Sequence, residues 1–243
     1  MKGDLRLNFW RALTDNDRGN RQEVRCGCWR KAGEYAWMGI QSVENEGKEV
    51  KVNVDFSVPT MPECRGKLVY TITSKGIHID YSISLPEYLP EVPELSMILP
   101  LEREAYTDLE YLGRGPHENY IDRNTGADIG LYKVKIDDLY VDYQKPQEYG
   151  ERTGVRKATL KGDGKISFEA DREIELNVSP YTAYMLEEAA HKHNLPEGDT
   201  LYVRLILRQM GVGGYDSWGA HPLEEHKIFA MNDYSYGFSI IPQ

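Results

Sequence analysis

The sequence predicts an all-β chain: one large antiparallel sandwich of many strands, with one or two short helices. Three observations carry this. Apolar and polar residues alternate in run after run, turn residues separate the runs, and helix signals are few.

Val50, Val52, Val54, Phe56 and Val58 fall on one face of a strand. Leu68, Tyr70 and Ile72 form the next, and the turn Ser74-Lys75-Gly76 leads into Ile77, Ile79, Tyr81, Ile83 and Leu85. Pro86, Pro90 and Pro93 suit a long loop between sheets. Tyr132, Val134 and Ile136 alternate, as do Ile166, Phe168 and Ala170, then Ile174, Leu176 and Val178. Lys161-Gly162-Asp163-Gly164 is a hairpin signal. Leu201, Val203, Leu205 and Leu207 make a late strand, and Tyr236 to Ile241 a last one. Ser179-Pro180 reads as a cap with a first-turn proline, starting a helix to about His191. A second helix is expected from Gln22 to Ala32, ended by Gly33. No linker or repeat divides the chain, so the domain is taken as residues 1–243, with 1–4 read as an added leader.

A chain of 243 residues hides roughly 70–75% of its unfolded surface, enough for a core without staples. The charge is 29 basic against 39 acidic residues, with no block of five like charges. That balance argues against nucleic acid and anionic membrane as partners, and is compatible with a neutral sugar. Tyrosine (17) and tryptophan (4) together far outnumber phenylalanine (5), and both combine a flat apolar face with a polar edge. Cys26, Cys28 and Cys64 have no zinc-type spacing and read as free thiols. No signal peptide or membrane span is evident, which leaves the compartment open.

Catalytic motifs are absent from the pattern. There is no Gly-x-Ser-x-Gly, phosphate loop or metal helix motif, and 39 acidic residues offer too many carboxylate pairs to single one out. His191 and His193 read as ordinary surface or core histidines, and His78 should face outward from its strand.

Three segments differ in kind: Asn8 to Gly19, Tyr111 to Arg123, and Gly211 to Gly219. Each couples turn residues to charged or amide side chains. Such a composition suits loops held by side-chain-to-backbone hydrogen bonds, or a binding rim.

On these segments the chain resembles the β-galactosidases of glycoside hydrolase family 2. Phe9-Trp10-Arg11-Ala12-Leu13-Thr14-Asp15-Asn16-Asp17 matches the opening of that family's C-terminal domain. Gly115 to Arg123, Pro146 to Gly150 and Gly213 to Trp218 match three later stretches in the same order. The resemblance implies a large antiparallel β-supersandwich like that of galactose mutarotases. It also implies a longer enzyme in which this segment follows a catalytic (β/α)-barrel. The glutamates that break the glycosidic bond, and the magnesium and sodium ligands, would lie in that barrel, so no catalytic residue and no cofactor is expected here. The implied partners are the barrel, the other domains, a galactoside and further copies of the whole enzyme. The resemblance carries one active-site residue over, Trp218, whose indole would cover the apolar face of a sugar. Asp15, Asn16, His117, Glu118, Asn119 and Asp216 are rim or interface candidates, although their chemistry favours local turn capping. A mutarotase-like enzyme with a His–Glu pair and a stand-alone sugar-binding module are the alternatives carried forward.

Overall fold

In the computed structural model, which describes residues 2–58, 61–213, 215, 216 and 218–243, one antiparallel sheet curls on itself around the core. Its elements run β1 (Arg6–Asn8), α1 (Asp15–Gly19), α2 (Gln22–Arg25), β2 (Trp37–Asn45), β3 (Glu49–Val58), β4 (Met61–Thr73), β5 (Gly76–Ser84) and β6 (Glu94–Glu102). They continue with β7 (Asp108–Gly115), β8 (Asp128–Lys135), β9 (Arg152–Lys161), β10 (Lys165–Ser179), α3 (Ala183–Glu188), β11 (Thr200–Gln209) and β12 (Asp233–Pro242).

Hydrogen bonding links the strands in the order β1-β6-β11-β10-β12-β5-β4-β3-β2, with β9, β7 and β8 branching from β10. The long strand β10 is the seam. Along one edge, Ile166 to Ala170 pair with β12 and Glu175 to Ser179 pair with β11; along the other edge β10 carries β9. The register shifts between Glu169 and Ile174, and such irregularities bend a strand and increase its twist. This bend lets one strand serve both layers.

The expected alternation is what fills the core. Val54, Phe56 and Val58 from β3, Ile79, Tyr81 and Ile83 from β5, and Leu201, Val203 and Leu205 from β11 are all buried. Lys161 to Gly164 closes the β9–β10 hairpin as expected, and Pro86, Pro90 and Pro93 lie in the connection from β5 to β6. Val92 N–H donates to the Ile228 carbonyl, tying that connection to the late loop before β12. The three cysteines are free: Cys26 and Cys64 are buried, and burial pushes their thiols up to about 11 and about 12.

Three expectations needed correction. The helix expected from Gln22 to Ala32 is one α-turn ending at Arg25, followed by a 3₁₀ turn at Gly27–Trp29. Gly27 weakens a continuous helix, and the Trp29 indole is drawn inward, donating to the Pro90 carbonyl at 3.2 Å. Gly33 is no helix cap. It lies against the Leu7 carbonyl, where any Cβ would overlap.

The later helix starts at Ala183, capped by Thr182, because Ser179 still belongs to β10 and pairs with Tyr202. Finally, Asp108 to Gly115 form a strand rather than a loop, between β8 and β9.

Candidate functional site

The loop after β11 carries Trp218, and its first residues are clamped from three directions. Arg11 is fully buried, and its guanidinium donates to the Gln209 side chain at 3.1 Å and to the Gly211 carbonyl at 3.0 Å. It also donates to the Met210 carbonyl. Asp17 holds Arg11 in place by accepting from Nη2 at 3.0 Å, while its other oxygen accepts from Thr14 N–H at 3.0 Å. Thr14 caps α1 in return, its hydroxyl accepting from Asp17 N–H. Asn16 donates to the Val212 carbonyl at 3.3 Å.

From the second segment, Asp122 spans the next two residues. Its oxygens accept from Val212 N–H at 3.0 Å and Gly213 N–H at 2.9 Å. Gly213 needs its glycine, with φ at +76°.

The stretch Pro146 to Gly150 completes the clamp. Gln147 and Asp15 exchange hydrogen bonds at 3.0 and 3.1 Å, and the Pro146 carbonyl accepts from Arg18. Glu148 accepts from Ala12 N–H. Residues that are far apart in the chain therefore meet around one loop.

At the tip, Asp216 accepts from the N–H groups of Trp218 (2.9 Å) and Ala220 (3.0 Å), a side-chain-closed turn. Gly219 has φ +112° and packs backbone to backbone against Gly19; a Cβ on Gly19 would sit 2.6 Å from the Trp218 carbonyl oxygen. The Trp218 side chain lies outside this packing and is 84% exposed. Gly214 and Ser217, part of the motif that singled out Trp218, lie outside the described residues.

The other candidates separate by burial. Asp15 and Asp216 are exposed, and Asn16 is half-buried. His117 is exposed and lines a shallow hollow together with Glu118, Asp122 and Arg123. Glu118 is committed internally, accepting from Gly150 N–H (2.7 Å), Tyr143 (2.8 Å) and Arg123 (2.5 Å). Asn119 is not a rim residue. It is 1% exposed, accepts from both the N–H and the hydroxyl of Thr153, and donates to the Arg114 and His117 carbonyls. Its amide replaces backbone partners that the turn at Gly115–Pro116 leaves open.

Sequence reasoning missed the layer beneath the loop. Glu94, Glu148, Glu151 and Glu175 are all buried, with Arg204 among them. Arg204 donates to Glu94 at 2.5 Å and to Glu148. Burial raises Glu94, a rise opposed by Arg204 and reinforced by Glu148. Burial also pushes Glu175 up to about 8, with the charge of Glu94 adding to it. Glu151 is also raised well above the usual carboxylate range, by burial first and then by Glu175 and Glu148, and its carboxyl group faces that of Glu175 closely enough to share a proton with it.

Beside this layer opens a cavity of about 260 Å³, with Trp10, Tyr181, Tyr184 and Arg204 in its wall. The signal for the buried layer was present. Glu175, Asn177 and Ser179 alternate with Ile174, Leu176 and Val178, which reads as a solvent face unless both faces of β10 are covered.

Removing the Asp122 carboxylate tests the clamp. The Asp122→Ala variant should lose about 1–2 kcal/mol of stability, and limited proteolysis should cut the 210–232 loop faster than in the parent chain. An unchanged cleavage rate would mean that other contacts hold the loop.

The sequence comparisons agree with one another. A family model described as the β-galactosidase small chain matches residues 1–240. A β-galactosidase of Priestia megaterium is 36% identical over 246 residues, covering 100% of this chain and 24% of that protein. One from Streptococcus thermophilus is 30% identical over 241 residues, covering 98% and 23%. The chain thus spans about a quarter of the length of these curated relatives. Among solved structures, a galactose mutarotase-like protein from Lactobacillus casei aligns with a TM-score of 0.42 at 12% identity, over 83% of this chain and 72% of that one.

Proposed function

Because the chain belongs to the β-galactosidase small-chain family, we propose that it is the segment of a β-galactosidase that completes the sugar site with Trp218 and leaves bond cleavage to residues outside it. One observation carries the reading: an indole 84% exposed, on a loop whose base is held by Arg11, Asn16 and Asp122. Holding a loop this firmly while leaving its largest apolar side chain in solvent makes sense if another surface or ligand covers the ring. A pyranose presents a face of C–H bonds that an indole can cover without a hydrogen bond.

The carboxylates near the loop suit a scaffold better than hydrolysis. A retaining glycosidase needs two carboxyl groups about 5 Å apart that both reach the substrate. Glu94, Glu148 and Glu175 are instead engaged by Arg204, Ala12 and Gln209, away from solvent. In this reading the hydrolysis of terminal β-D-galactosides, by retention, runs on a barrel elsewhere in the enzyme, which also supplies the metal ions. The cavity beside Arg204 has no histidine among its described lining residues, which gives the mutarotase-like alternative no His–Glu pair there.

The test is Trp218→Ala in the β-galactosidase that contains this chain. Losing an apolar cover worth on the order of 2 kcal/mol should raise KM about tenfold or more and leave kcat nearly unchanged, the signature of lost substrate capture. An unchanged KM would refute the assignment. The 243-residue chain alone should release no nitrophenol from a nitrophenyl galactoside.

A further inference from the structure

On the outer face of the sheet, His78 and Asp80 of β5 and Asp171 of β10 converge across β12, with one ligand atom from each lying within 4.8 Å of the others. We propose that these three residues bind a divalent ion of the zinc type, with water completing the coordination. The inference is independent of the β-galactosidase reading. It departs from the expectation of no metal in this segment, because Asp171 lies far from the other two in sequence and meets them only through the sheet.

The geometry fits such an ion. His78 Nε2 lies 3.4 Å from Asp80 Oδ1 and 3.6 Å from Asp171 Oδ2. Zinc bonds of 2.0–2.2 Å to imidazole nitrogen and carboxylate oxygen give a tetrahedral edge of about 3.3 Å. The imidazole therefore already stands close to the separation from each carboxylate that an ion between them would impose, and the two carboxylate oxygens lie within 4.8 Å of each other.

The surroundings fit as well. Register places His78 opposite Ser239 and Asp80 opposite Gly237. The other ring nitrogen, Nδ1, is 3.0 Å from the Ser239 hydroxyl, an outer contact of the kind that orients a metal-binding imidazole. Gly237 leaves the space: a Cβ there would overlap the Asp171 carboxylate and lie 3.3 Å from Asp80 Oδ1. Charge points the same way. Among the described residues neither Asp80 nor Asp171 is paired with a lysine or arginine, whereas the neighbouring Glu169 has Lys157 at 2.6 Å. Two carboxylates share one imidazole and lack a full counter-charge. A bound ion would join β5 to β10 across β12.

The experiment is calorimetric titration of zinc chloride into the full 243-residue chain, with cobalt as a spectroscopic substitute. The expected result is one saturable site, tetrahedral cobalt absorption and a rise in Tm with zinc. His78→Ala and Asp171→Asn should each weaken zinc binding at least tenfold. Ser239→Ala should weaken it about tenfold, and Gly237→Ala should weaken it by displacing Asp171. All four substitutions lie on or next to an open face, and circular dichroism checks that each variant folds. His191→Ala controls for the stacked His191–His193 pair, whose rings lie 5.4 Å apart. Absence of saturable binding would overturn the proposal. So would binding that survives His78→Ala and Asp171→Asn but is lost in His191→Ala.

Discussion

Replacing Arg204 by methionine should cost roughly 3–5 kcal/mol of folding stability, the range for removing one partner of a buried ion pair. Arg204 is 9% exposed and is the cation between Glu94 and Glu148, which are 0% and 4% exposed. Its own pKa is raised: burial works against the charge, and the two glutamates outweigh it. Without it, two carboxylates would face each other in a desolvated layer. Urea unfolding at pH 7 measures the loss. Adding Glu148→Gln to Arg204→Met should recover part of it, and the double-mutant cycle would give the coupling. A loss below about 1 kcal/mol would mean that solvent in the adjoining cavity hydrates the glutamates and that the ion pairs contribute little.

The second large effect is on stability against pH. Glu175 is raised to about 8 in the folded chain, and Glu94 and Glu151 are raised as well. A carboxyl group with a raised folded pKa holds a proton that the unfolded chain releases. Its stabilising contribution is complete below the unfolded value near 4.5 and is lost as pH rises through the folded value.

Stability should therefore fall between pH 5 and pH 9. A tenfold difference in proton affinity between the folded and unfolded chain is worth about 1.4 kcal/mol, so the loss is on the order of a few kcal/mol. Asp108, Glu110 and Asp199 are shifted the other way and titrate below this window. Glu175→Gln keeps the shape, carries no proton to lose and should flatten the curve. A parent chain equally stable at pH 5 and pH 9 would contradict the argument, as would a Glu175→Gln variant with the parent's slope.

Much of the fold was legible because strand periodicity is local. The alternations in β3, β5 and β11 needed only neighbouring residues to be read, and the hairpin at Lys161–Gly164 needed only its turn. The helix ends were not legible. What carries β10 as far as Ser179 is pairing with Tyr202, and no residue near Pro180 reports that.

The site divides in the same way. Trp218 was singled out by the family resemblance of its stretch, and Asp216, named as a rim candidate, closes the turn that carries it. The clamps did not stand out, because Arg11 reaches Met210 and Asp122 reaches Gly213 across long stretches of the chain. The buried glutamates were hidden by a correct rule in the wrong setting: polar alternation on β10 means solvent only where one face is free.

The bond from Arg11 to Met210 spans 199 positions of sequence. A contact of that separation forms only once the intervening chain has been brought together, and the closure entropy is lost before the contact can offset it. The segments around Arg11 and Met210 therefore become ordered together, and only after the strands between them are in place. Until Gln209, Met210 and Gly211 arrive, the Arg11 guanidinium has neither those acceptors nor the packing that buries it, and it stays in water.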